Sequence, residues 1–111
     1  MEIKTQRLKH CDLLSVMGKV DSYTAPDLSK AIEAVTKEGR YKIVLDVSKL
    51  EYMSSAGFRA LLVGQKVCKR YNRGEVVLAA VPTRIMEALD LTGFTTLFKI
   101  FADVTLAVGN I

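Results

Sequence analysis

The sequence predicts one α/β domain on a mixed, mostly parallel β-sheet, with elements in the order ββαβαβαβα. Three features of the chain point there. Residues 41–47 and 75–81 are near-continuous apolar runs, the pattern of central strands covered on both faces. Segments with helical spacing of roughly 10–15 residues alternate with these runs, which implies parallel pairing through right-handed crossovers. The chain also opens with two strand-like segments joined by a short turn, and such a hairpin adds an antiparallel edge.

Taken in order, residues 2–9 alternate loosely and read as the first strand. His10 to Asp12 form the hairpin turn, residues 12–17 the second strand, and Gly18-Lys19-Val20-Asp21 its close. Thr24-Ala25-Pro26-Asp27 announces a helix, with Thr24 as N-cap, Pro26 in the first turn and Asp27 as a capping-box acid. Leu28, Ala31, Ile32 and Val35 give that helix one apolar stripe, and Gly39 stops it. After the central strand at 41–47 comes a short polar turn. The second helix spans 55–71 and ends at Asn72-Arg73-Gly74. A buried strand at 75–81 precedes a third helix opened by Pro82 or Thr83, with Ile85, Met86 and Leu89 facing in and Thr92-Gly93 at its end. A short strand at 97–100 and a last helix at 102–108, with Asp103 near its start, complete the chain.

Composition narrows the function classes. The chain has 111 residues, half of them apolar and a quarter charged, the balance of an ordinary globular domain. Cys11 and Cys68 are too few and too far apart for a zinc site or a disulfide framework, so they read as core thiols in a reducing compartment. The first residues carry no signal-peptide pattern, and no apolar run approaches the ~20 residues of a membrane span. The expected location is the cytoplasm, without membrane insertion. A net charge of +4 favours acidic partners weakly. Direct nucleic-acid binding is not expected, because neither clustered arginines with aromatics nor a known motif is present.

The second helix sorts its residues by face. Ala60, Leu61, Gly64, Val67, Cys68 and Tyr71 share the side expected to be core. Arg59, Lys66, Lys69, Arg70 and Arg73 gather opposite, with Leu62 among them. That face is either a solvated basic surface or an apolar contact ringed by cations that attract an acidic protein.

Catalysis is hard to assemble from these residues. Ser55-Ala56-Gly57 imitates half of a hydrolase nucleophile elbow, but Met53 stands where the first glycine belongs. His10, the lone histidine, falls in the first hairpin turn, which leaves a Ser55 hydrolase without a base. Asp21 and Asp46 sit at strand carboxyl ends, where ligands bind in open α/β sheets, yet loop capping is their simpler role. No phosphate-cradling glycine loop appears, so a tight nucleotide site is not expected, and with the residues above neither a catalytic group, a metal nor a cofactor is expected. Tyr23 reads as a half-buried loop aromatic that nears the serines if its loop adjoins the next strand. Ser54-Ser55 stands at a helix start, where unpaired N–H groups and the positive dipole end suit an added phosphate.

Three segments, in order, resemble the STAS-domain family, in particular its small anti-sigma factor antagonists. Gly18-Lys19-Val20-Asp21 with Tyr23-Thr24-Ala25-Pro26-Asp27-Leu28 resembles the family's G-x-x-D turn and first helix. Ile43-Val44-Leu45-Asp46-Val47-Ser48 resembles its central strand, and Tyr52-Met53-Ser54-Ser55-Ala56-Gly57-Phe58 its D-S-S-G-L phosphorylation loop. The resemblance implies a binding protein and not an enzyme. Unphosphorylated, such proteins bind an anti-sigma factor serine/threonine kinase and free the sigma factor. The kinase inactivates them by phosphorylating the loop serine, and a PP2C-type phosphatase restores them.

Carried over by position, Ser55 falls on the phosphoacceptor, Asp21 on the acid near it, and Gly57 on the motif glycine. Ser54 stands in place of the usual Asp and becomes a rival acceptor, Ala56 replaces the second Ser, and Phe58 replaces Leu. Asp21, Tyr23, Thr24, Ser54, Gly57, Phe58, Arg59 and Leu62 are the expected partner-binding residues, on a domain expected to be a monomer. The competing expectation is a STAS interaction subunit of another assembly, in lipid transport or stress signalling, without a phospho-switch.

Overall fold

The computed structural model describes residues 1–71 and 74–111. The expected end of the second helix at Asn72 and Arg73 lies outside the described residues. The elements are β1 (Glu2–Arg7), β2 (Asp12–Val20), α1 (Ala25–Thr36), β3 (Lys42–Asp46), β4 (Leu50–Met53), α2 (Ser55–Arg70), β5 (Glu75–Ala79), α3 (Thr83–Thr92), β6 (Ile100–Phe101) and α4 (Val104–Asn110). The sheet runs β1-β2-β3-β5-β6, with β4 joined to β2. Among the described residues, only the β1–β2 pairing is antiparallel, as the hairpin predicts; the others are parallel.

The apolar runs are buried on both faces because their side chains alternate between two cores. Ile43, Leu45, Val76 and Leu78 meet α1, α2 and α3. Val44, Val77 and Ala79 point the other way, onto Ala107 of α4 and Cys11. Both thiols are buried and free. Burial pushes the Cys68 thiol up to about 11 and raises that of Cys11, so both stay protonated as core groups.

One strand escaped the sequence reading. The segment after β3, expected as a polar turn, contains β4. Its burial alternates in neither helical nor strand fashion: Leu50 and Met53 are buried, Glu51 and Tyr52 exposed. β3 leaves β2 after Ser15, and β4 takes up the pairing from Gly18 to Val20. Gly18 makes the change possible. The register shifts between Gly18 and Lys19, and its φ of 88° is one that glycine adopts without a Cβ clash. β2 therefore continues past its expected end at residue 17 to Val20.

The smaller differences are local. The last strand is Ile100–Phe101, because a turn of 3-10 helix over Phe94–Thr96 and its exit consume the residues expected to start it. Tyr71 is exposed, not core, and stacks on Tyr41 with ring centroids 5.1 Å apart. Of the face expected to be core, Ala60, Leu61, Gly64 and Cys68 are buried and Val67 is half-buried, and Phe58 and Gln65 are buried beside them.

Two buried polar groups tie the periphery to the core. Asp12 pairs with Arg40, whose Nη2 also donates to the Leu8 carbonyl at 2.7 Å and the Cys11 carbonyl at 3.1 Å. That clamp fixes the hairpin on β3. Gln65 accepts from the Val76 N–H at 2.6 Å and donates to the Leu97 carbonyl at 2.8 Å. It thereby joins α2 to the start of β5 and to the segment before β6.

Replacing Gln65 by leucine leaves a buried N–H and a carbonyl unpaired. Each such loss costs roughly 1–3 kcal/mol, so Gln65→Leu should destabilise the fold by about 2 kcal/mol or more in urea unfolding. An unchanged midpoint means the carboxamide does not hold these elements together.

Candidate functional site

The site is built where β2 and β4 end together. Val20 lies beside Met53, and the Ser54 N–H donates to the Val20 carbonyl at 2.8 Å. The loop after β2 is thus held against the start of α2. The sequence anticipated this meeting through the next strand; the strand that delivers it is β4.

Asp21 organises the loop. Its Oδ1 accepts from the Thr24 N–H at 2.9 Å, the Tyr23 N–H at 3.0 Å and the Thr24 hydroxyl. The Thr24 Oγ1 in turn accepts from the Asp21 N–H at 3.0 Å. This differs from the expected cap. The Thr24 hydroxyl faces back to Asp21 and gives α1 no side-chain cap, and the Thr24 N–H is taken by Asp21, not by Asp27. The bond from the Thr24 N–H, then its hydroxyl, holds the Asp21 carboxyl below the ordinary range. Tyr23, expected half-buried, is 88% exposed, because the tight turn lifts it off the surface.

The two serines divide their work. Ser54 is the N-cap of α2, with an extended backbone, and its Oγ accepts from the Gly57 N–H at 3.3 Å. That is the task an Asp performs equally well at this position. Ser55 is the first helical residue and is exposed. No acid occupies the first turn, so nothing there offsets the positive end of the helix.

Gly57 is buried and lets the helix start sit close to the sheet. A Cβ there would lie 2.6 Å from Met53 Cγ and 2.9 Å from Val20 Cγ1. Phe58 corrects an expectation. It is 4% exposed and packs on Phe94 at 5.6 Å, so it seats the helix and presents no surface to a partner. Leu62 is half-buried, whereas Arg59 is exposed.

The sequence reading missed the neighbouring Val63, 61% exposed. It also missed a groove of about 620 Å³ between α1 and α2, reached by Ser22, Ala56, Arg59 and Val63. The signal was present: Arg59, Val63, Lys66 and Arg70 recur at i, i+4, i+7 and i+11 along one exposed line.

The hydrolase geometry is absent. His10 lies before the start of β2 and Ser55 beyond its end, so a strand of about 26 Å separates the regions at ~3.3 Å per residue. Asp46, like Asp21, holds its own turn, accepting from the Ser48 N–H at 3.0 Å. Among the described residues, no helix is long and apolar enough to cross a membrane.

The loop after β2 and the start of α2 thus form one presented surface on a small mixed α/β domain. The family model described as "Mlab, STAS domain" matches residues 3–100, and the chain belongs to the STAS-domain family. The anti-sigma-B factor antagonist of Listeria monocytogenes is 29% identical over 100 residues, covering 90% of this chain and 86% of the relative. Solved structures agree in fold. An anti-sigma factor antagonist from Mycobacterium paratuberculosis superposes with a TM-score of 0.86 at 23% identity, covering 97% of this chain and 91% of that one. The Bacillus cell fate determinant SpoIIAA in its phosphorylated form gives 0.75 at 14% identity, covering 97% of each chain. Its unphosphorylated form gives 0.82, covering 96% of this chain and 93% of that one.

The lowered Asp21 pKa sets a pH dependence. The group is more acidic folded than unfolded, so its stabilisation is full above the ordinary Asp value of about 3.9 and fades as pH falls through the lower folded value. Asp21→Asn should therefore be less stable than wild type at neutral pH, with the gap closing in strong acid. Urea midpoints between about pH 2 and 7 measure it; a gap independent of pH rules out the ionised turn.

Proposed function

We propose that this chain is an anti-sigma factor antagonist. In its unmodified form it binds a serine-kinase anti-sigma factor and frees a sigma factor, and phosphorylation of Ser55 ends that binding. A PP2C-type phosphatase restores the active form. On this reading the domain works by binding and performs no catalysis of its own.

One observation carries the reading: Ser54 is occupied as the helix cap, while Ser55 stands exposed on the first turn beside the Asp21–Thr24 loop. This division favours Ser55 over Ser54 as the acceptor. The curated relatives named as anti-sigma factor antagonists, and the existence of SpoIIAA in both phosphorylated and unphosphorylated forms, support the same direction.

A phosphoserine adds about −1.5 to −2 charges at neutral pH. The helix N-terminus accommodates that charge, so the fold need not change. A partner packed over Ser55 does not, since covering an unpaired dianion removes its hydration. The switch then acts by charge and bulk at the contact itself.

Mass spectrometry after incubation with ATP and the anti-sigma factor kinase of the same genome should find one phosphate, on Ser55. Ser54→Ala should still be modified, while losing a cap that contributes about 1 kcal/mol. Ser55→Asp should weaken the kinase complex at least tenfold with an almost unchanged melting temperature. Binding as tight as wild type removes the switch. A kinase that leaves Ser55 untouched points instead to a STAS interaction subunit of another assembly.

A further inference from the structure

The groove between α1 and α2 extends the contact surface away from Ser55. Its floor is kept low by small residues, Ala25, Ala60 and Gly64, all buried. A side chain on Gly64 would meet Ile32 Cγ2 at 3.0 Å, so the two helices approach closely beneath it. Val63, largely exposed, and half-buried Val67 form an apolar wall on the α2 side. A trough of this kind between two helices suits a third helix that inserts side chains at i, i+3 or i+4, and i+7.

Charge selects the occupant. α2 carries Arg59, Lys66, Lys69 and Arg70, and not one acidic residue in its sixteen positions. Arg59 and Lys66 flank Val63, and Lys30 adds a cation from the α1 rim. Among the described residues, the only acid lining the groove is Glu33, on α1. A second copy of the chain would bring one cationic helix against another. An acidic helix, with its carboxylates turned to α2 and away from Glu33, has complementary charge along its length.

Building on the functional reading above, we propose that the groove receives an acidic amphipathic helix of the anti-sigma factor. Its apolar stripe lies on Val63 and Val67, and its carboxylates meet Arg59 and Lys30. The groove opens beside Ser22 and Ala56, next to the Ser55 end of α2. One partner segment therefore spans the groove and reaches the serine.

Calorimetry of the full chain with its anti-sigma factor kinase, at two salt concentrations, tests this. Arg59, Lys30 and Val63 are exposed, so Arg59→Glu, Lys30→Glu and Val63→Asp should keep the wild-type melting temperature. Arg59→Glu and Val63→Asp should each weaken binding at least tenfold, and Arg59→Glu should also flatten its salt dependence. Lys4→Glu makes the same charge change on the opposite face of the sheet, paired with Ser15, and should stay within twofold. If wild type binds and all the groove variants stay within twofold, the groove is not the docking site, and the functional reading stands without it. If wild type binds no such kinase, the functional reading itself falls, and this inference with it. Sedimentation with phosphatidylserine vesicles that Arg59→Glu abolishes overturns the proposal in favour of a membrane surface.

Discussion

The rest of the structure depends on β2 serving two partners in turn. Its first half pairs with β3 and its last residues with β4, across a glycine that shifts the register. Without that change of partner, β3 would run on, and the start of α2 would not be tied to the Val20 carbonyl. The loop organised by Asp21 and the helix that carries Ser55 would then be separate surface features. One backbone bond joins them into a single presented surface.

Electrostatics on that surface are uneven. An ionised carboxylate is spent inside its own turn, holding Tyr23 and Thr24 in place. The adjoining helix offers its positive end and, along its exposed line, cations around Val63 and no carboxylate. The Asp21 charge is committed to its own turn, and the cations of α2 face outward. Such a surface attracts acidic groups, and on the proposed reading a phosphate on Ser55 would reverse the sign of the charge there.

Most of the architecture was legible because the strong signals are local. The double-faced strands 43–45 and 76–78, the hairpin, the Gly39 and Gly93 stops and the Asp103 start all rest on a few adjacent residues. What stayed hidden depends on distant partners. β4 has four residues and no clean alternation, so only its pairing with β2 makes it a strand. Thr24 has the chemistry of a cap, but Asp21 competes for its hydroxyl once the turn forms. Phe58 looks like a surface residue until Phe94 arrives from beyond α3. The pair of serines was conspicuous in sequence; that one of them is consumed by capping required the geometry.

The outermost strands add a consequence of another kind. β1 forms one border of the sheet with Glu2, Lys4 and Arg7 exposed, β6 closes the other with two residues, and β4 has only four. Charged or very short borders are poor templates for strand addition by another chain. The backbone of this protein is thus closed to recruitment, and crowding many copies together does not invite fibre-like stacking. Recognition by this domain therefore falls to side chains on its helices and loops, and not to its strand edges.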